Sequence, residues 1–202
     1  MDVTFLITAF VALFVVIDPI GLAPLFIALT AGMTQRERVA VGLRACAVSI
    51  ALLTLFGLAG EGVLAFIGIS MPAFRIAGGI LLFLTALDML FDRRAPRREG
   101  QTIPAEDPSV FPLAMPLIAG PGAMATMILL AGQTESNLAL LAVHLVMAAV
   151  VAMCFLLFLL AGPIERVLGR TGTLVVTRLL GMLLAALSVQ FVIDGLRSVL
   201  AS

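Results

Sequence analysis

Six apolar stretches, at about residues 4–31, 39–60, 72–91, 110–131, 138–161 and 174–196, decide what this chain can become. Each reaches the roughly 20 residues that an α-helix needs to cross a hydrocarbon layer about 30 Å thick. Lipid offers no hydrogen-bond partner, so a spanning backbone must satisfy itself as a helix or a closed barrel. The runs do not alternate apolar with polar residues as barrel strands do, which leaves helices. The expected fold is an all-α membrane protein with six transmembrane helices. A soluble domain is excluded, because 62% hydrophobic and 12% charged residues cannot supply a polar surface. The lipid bilayer is therefore the first partner. The N-terminus has no basic lead-in and no small-residue cleavage site, so the first apolar run is expected to be retained rather than removed as a signal peptide. A formal net charge of zero argues against a nucleic-acid partner. Cys46 and Cys154 lie inside apolar runs without companion ligands and read as helix-packing residues, not as a disulfide or a metal site.

Orientation rests on arginine alone, since the chain has no lysine. Arg36 and Arg38 follow the first span, Arg93, Arg94, Arg97 and Arg98 follow the third, and Arg166 and Arg170 follow the fifth. The second and fourth connections, "AGEGVLAFIGISM" and "AGQTESN", contain none. Only Arg197 falls on the other side. The excess of positive charge in cytoplasmic loops then puts both termini outside, which is periplasmic where an outer membrane exists.

The charged stretch "DRRAPRREGQTIPAEDPS", residues 92–109, reads as a cytoplasmic linker between two halves, 1–91 and 110–202. The halves match in order at a shift of 100 to 103 residues. Ala31-Gly-Met-Thr34 meets Ala131-Gly-Gln-Thr134, and Leu58-Ala-Gly60 meets Leu160-Ala-Gly162. Arg75-Ile-Ala-Gly78 meets Arg178-Leu-Leu-Gly181, and Asp18-Pro19 falls opposite Gly120-Pro121. Three spans per half, an odd number, invert the second copy relative to the first. Inverted three-helix repeats are an architecture of alternating access. An old duplication that serves only as scaffold is the other reading.

Within the first run stands "VVIDPIGLAPLFIALT", with one acid, two prolines and a glycine. A straight helix from Thr4 to Ala31 would be about 40 Å long, too long for the core without tilt. Asp18 is a good N-cap and Pro19 fits the first helical position, so the run is expected to break there and restart. Gly120, Pro121 and Gly122 are expected to break the fourth span at the matching point. Paired breaks in inverted halves point to a transporter's binding site. A half-helix start presents N–H groups that suit a carboxylate, and Gly21 and Gly122 let a ligand approach the backbone. Asp18 suits an ammonium group or a transferable proton, because an ionisable residue at this depth is functional by default. The candidate substrate-binding residues are therefore Asp18, Pro19, Gly21, Gly120, Pro121, Gly122 and Thr126. Asp18 and Asp88 are the candidates for proton or ion coupling. Against this, Asp18 can simply cap its own helix while the prolines kink a packed bundle. Arg44, Arg75, Arg178 and His144 lie within a turn or two of span ends, where snorkelling is the plainer reading. Thr126 and Ser49 can equally bond to their own helix backbones.

The segments "DPIGLAPLFIALTAGMT", "RIAGGILLFLTALDML" and "PLIAGPGAMATMI" resemble the MarC family of six-helix bacterial inner-membrane proteins. The resemblance covers essentially the whole chain. Some relatives are described as small neutral amino acid transporters, and the family is similar to the wider lysine-exporter superfamily. The resemblance implies an ion-coupled transporter of glycine- or alanine-like substrates. Nothing in these residues supports the antibiotic resistance to which the family name refers.

Two other classes stay open from the residues alone. An intramembrane enzyme lacks its usual signatures here: His-Glu-x-x-His, Gly-x-Gly-Asp and Gly-x-Ser-x-Gly are all absent. A channel is harder to separate, since broken helices also line pores. No cofactor and no metal are implied, a small-molecule substrate is, and a homo-oligomer remains open.

Overall fold

In the computed structural model, residues 3–91 and 108–200 are described, with the backbone alone for 164–168, 170 and 173. Most of the linker and its four arginines lie outside the described residues, as do the side chains of Arg166 and Arg170. The described elements are all helical: α1 (Val3–Ile17), α2 (Pro19–Leu29), α3 (Gln35–Ile67), α4 (Met71–Leu90), α5 (Ser109–Ile118), α6 (Pro121–Ala131), α7 (Asn137–Leu159) and α8 (Ala161–Leu200). Five spans are long and apolar enough to cross a membrane, with α1 and α2 forming one of 27 residues. Counting α5 and α6, bent by 55°, as one span makes six.

Local chemistry accounts for most boundaries. Thr34 caps α3 in a reciprocal box: the Thr34 N–H donates to Glu37 Oε2 at 2.7 Å, and the Glu37 N–H donates to Thr34 Oγ1 at 3.4 Å. Ser70 and Ser136 accept from the third residues of α4 and α7, Ala73 and Ala139. Two connections and one span differ from the sequence reading. The second connection is short, because α3 runs through Glu61 to Ile67 and stops at Gly68, whose φ of 84° is a left-handed helix end that glycine adopts freely. After the fifth span there is a helix rather than a loop: only Leu160 separates α7 from α8, and α8 is interrupted at Gly169. The fourth span is irregular well before Gly120. Phe111 and Met115 are extended (ψ 123° in both), each preceding a proline joined by a cis peptide bond, as the clash between a proline ring and the preceding residue favours. Wide, π-type bonds bridge these kinks, from the Leu113 N–H to the Pro108 carbonyl (3.2 Å) and from the Ala119 N–H to the Ala114 carbonyl (2.8 Å).

Among the short helices α6 lies inside, although α1 and α5 also expose apolar residues such as Ile7 and Phe111. From Ala125 to Ala131 every residue of α6 is buried, whereas α3, α4, α7 and α8 expose large apolar residues such as Leu55, Leu84, Leu145 and Met182. A helix buried all round needs no polar face, and lipid-facing helices need none on their outer side. Contacts run mainly between the halves: α4 lies along α8, α3 against α5, α6 and α7, and α7 against α1 and α2. Glycines bring α4 and α8 close. A Cβ on Gly79 would stand 2.8 Å from the Ser188 carbonyl oxygen, and one on Gly195 would stand 2.6 Å from Ile76 Cγ1. Gly181 likewise faces Met89 and Ala86, so the two helices run antiparallel. Small residues at such contacts let membrane helices gain dispersion contact that lipid cannot match. Cys46 and Cys154 are buried in the same interior.

Candidate functional site

Asp18 is the hinge between α1 and α2. Its backbone is left-handed (φ 54°, ψ 62°), yet both helices keep their bonds across it. The Asp18 N–H donates to the Phe14 carbonyl at 2.9 Å, and its own carbonyl accepts from the Leu22 N–H at 3.0 Å. The break is thus a single residue. Its side chain is fully buried and folds over the start of α2, where Oδ1 accepts the Gly21 N–H at 3.0 Å. Pro19 takes the first helical position and is buried.

The second break is built differently. Gly120 precedes α6 with extended backbone and no side chain caps the helix. A Cβ on Gly120 would collide with the Pro116 carbonyl oxygen, so the kinked α5 and the start of α6 require glycine there. Pro121 is exposed and Gly122 half-buried. The side-chain position of Gly122 faces Val16 Cγ1 and Leu82 Cδ2, each at 3.3 Å, and Thr85 Oγ1 at 3.8 Å. Thr126, fully buried one turn on, donates to the Gly122 carbonyl at 2.8 Å. The two breaks therefore meet: the start of α6 touches α1 two residues before Asp18.

The two helix starts are electrically unlike. That of α2 is covered by the carboxylate of Asp18, whereas α6 begins without a side-chain acceptor. The first N–H groups of any helix lack intrahelical partners and carry partial positive charge, so α6 suits an anionic group brought from elsewhere. Asp88, the other proposed coupling residue, is half-buried on α4, one turn beyond Thr85. Thr85 itself escaped the sequence reading; its hydroxyl donates to the Leu81 carbonyl at 3.0 Å. Only its spacing three residues before Asp88 could have drawn attention to it. Ser49 is buried and bonds to the Ala45 carbonyl of its own helix, as the plainer reading expects.

Snorkelling does not describe His144. Its Nε2 is buried without a hydrogen-bond partner, and Arg75 Nε is buried likewise. Gly57 of α3 makes the room for the imidazole, and no signal within α7 reveals that neighbour. At the opposite end from the connection after α3, a recess of about 130 Å³ opens between the ends of α2, α3, α7 and α8. Arg38 lines it, with Nε donating to the Thr30 carbonyl at 3.3 Å. Phe26 and Phe158 stack beside it at 4.4 Å between centroids.

Comparison with known proteins agrees over nearly the full length. A family profile described as "MarC family integral membrane protein" matches residues 3–200. A UPF0056 membrane protein of Archaeoglobus fulgidus is 38% identical over 203 residues, covering 98% of this chain and 95% of the relative. The UPF0056 inner membrane protein YhgN of Escherichia coli K12 is 34% identical over 195 residues, covering 95% and 96%. No solved structure matches.

Proposed function

From the premise that this chain belongs to the MarC family of integral membrane proteins, we propose that it is a multi-pass inner-membrane secondary transporter. Its substrates are small neutral amino acids, moved by alternating access and coupled to a proton gradient. It is not an enzyme on this reading. The observation that carries the proposal is the meeting of the two breaks. The uncapped start of α6 lies against Val16, and the buried carboxylate of Asp18 follows two residues later. A zwitterion presents one group to each: its carboxylate to the N–H groups of α6 and its ammonium to Asp18. Gly120 and Gly122 keep side chains from the start of α6, Gly21 leaves room for the Asp18 carboxylate over the start of α2, and Thr85 and Thr126 add hydroxyls nearby.

The inverted repeat belongs to the same proposal. The contacts of α3 with α5 and α6 have counterparts in those of α7 with α1 and α2, and α4 lies along α8. That exchange is what an axis in the membrane plane relating the halves demands. With arginine-rich connections facing the cytoplasm, both termini are outside and the Arg38 recess opens inward.

Flux into proteoliposomes tests the proposal, using the purified protein and a panel of labelled amino acids under an imposed proton gradient. Saturable, gradient-dependent movement of alanine or glycine is expected. Flux linear in concentration would make the protein a channel, and no flux of any panel member would overturn the substrate class.

A further inference from the structure

His144 is the single histidine of the chain, and its surroundings fix one tautomer of the neutral ring. Nδ1 lies 2.8 Å from the Leu140 carbonyl oxygen, one turn back on α7. A carbonyl can only accept, so Nδ1 carries the hydrogen and Nε2 of the neutral ring carries a lone pair. That nitrogen is buried and bonded to nothing. It points at α3, where a Cβ on Gly57 would stand 2.8 Å from Nε2 and 3.0 Å from Met127 Cε of α6. Gly57 therefore seats an imidazole from one helix and a thioether from another. One turn along α3, a Cβ on Gly60 would stand 2.5 Å from Ile128 Cγ1. The seam between α3 and α6 is thus closed by two glycines and overlain by His144, and Met127 follows Thr126 directly.

We propose that His144 is the proton-operated latch of the α3–α6 seam, neutral when the seam is closed and protonated when it is open. This deepens the transport reading and rests on it for its purpose. The argument is one of partners. Protonation adds an N–H at Nε2, formed from the lone pair and a proton delivered by water, while the bond from Nδ1 to Leu140 persists. In the closed seam this new donor faces a methyl group and glycine backbone, and an N–H donor left without an acceptor is disfavoured. Among the described side chains, none on an element packed on α7 answers it in place. α6 carries no ionisable residue, and α1 and α2 have only Asp18 at their junction, which accepts from Gly21. On α3, Arg44 lies several turns back and Glu61 one turn on, both exposed. On α8, Asp194 accepts from Gln190. Relief requires water or Glu61 to reach Nε2, and either needs α6 to leave Gly57. Because α6 also carries Gly122 and Thr126, its departure reshapes the candidate substrate site.

The test needs no substrate. Protein labelled with ¹⁵N-histidine in lipid nanodiscs gives one imidazole to follow between about pH 5 and about pH 8, where histidine side chains ordinarily change charge. The neutral ring is expected with its hydrogen on Nδ1, and a second N–H should appear on acidification. In parallel, a thiol reagent is applied to Met127→Cys in a background with Cys46→Ala and Cys154→Ala. Labelling should quicken several-fold as the ring gains its proton, and the same reporter with His144→Gln should lose that pH dependence. A ring that stays neutral throughout overturns the latch. So does protonation without faster labelling, or pH-dependent labelling that survives His144→Gln. A ring that titrates together with the seam, in a protein that moves no amino acid, would support the latch and count against the transport reading alone.

Discussion

The carboxylate of Asp18 occupies the volume that a side chain on Gly21 would need. A Cβ at residue 21 would stand 2.8 Å from Asp18 Cγ, and the Gly21 N–H donates to Oδ1 at 3.0 Å. Glycine at this position is what lets the acid fold back over α2. Capping explains the shape of the arrangement. It does not explain the charge, since a neutral Asn caps about as well.

Gly21→Ala should therefore cost stability at a site with no ligand present. Overpacking of about 1–3 kcal/mol is expected, part of it from displacing a cap worth about 1 kcal/mol. Denaturation of the purified protein in detergent reads this directly. A midpoint equal to the parent's would mean that the carboxylate moves aside at no cost.

Asp18→Asn separates cap from charge. Asn tolerates the left-handed backbone and still accepts from Gly21, so folding should be unchanged. Concentrative uptake should fall, with binding weakened by about ten- to a hundred-fold if a charged hydrogen bond to an ammonium is lost. Asp18→Ala should lose about 1 kcal/mol from the cap and a further ~1–2 kcal/mol from strain at positive φ. Parental uptake and pH dependence in a well-expressed Asp18→Asn protein would leave the cap as the whole role.

At Gly122 the contacts allow a graded test. An added methyl meets Val16 and Leu82 at 3.3 Å, both flexible side chains. For Gly122→Ala a gain in helix propensity of up to about 1 kcal/mol opposes mild crowding, so near-parental stability is expected. Gly122→Leu should drive α6 from α1 and abolish uptake. Full activity of Gly122→Leu would show that substrate passes elsewhere.

The α4–α8 contact should be stability alone. Gly79→Leu must move the backbone carbonyl of Ser188, and a loss of at least ~1–3 kcal/mol is expected. Thermal unfolding of the variant measures it, and parental stability would mean that the close approach is dispensable.

Topology can be read from two exposed positions, Gln35 and Glu135. In the background with Cys46→Ala and Cys154→Ala, an impermeant thiol reagent on intact cells, with any outer membrane permeabilised, should label Glu135→Cys and spare Gln35→Cys. The reverse pattern would invert the assignment drawn from the arginines.

What the sequence disclosed was local chemistry. Asp18-Pro19 announced a cap and a first helical turn, and both are present. Thr34 and Glu37 carry a capping-box signature that the sequence reading did not use. The residues before Pro112 and Pro116 obey an equally local rule, but the continuous apolar run drew attention away from it. Glu61 between two glycines looked like a loop. It is helical because Gly60 answers Ile128 of a helix in the other half, and no nearby residue reveals that. The orientation of His144 was hidden for the same reason, since its neighbours come from α3 and α6. The left-handed backbone of Asp18 was invisible too, because the requirement is set by how α1 and α2 must join.

The dominance of contacts between the halves has a consequence for biosynthesis. When α4 leaves the ribosome, the helix along which it will lie has not been made, and α3 awaits α5, α6 and α7. The first half must wait in the bilayer with its glycine-lined faces covered only by lipid. Neither half is a domain in the sense of a piece that finishes itself. The contact of α4 with α8 cannot form until synthesis reaches α8, and a nascent chain stopped before α8 leaves the Gly79 face of α4 to lipid.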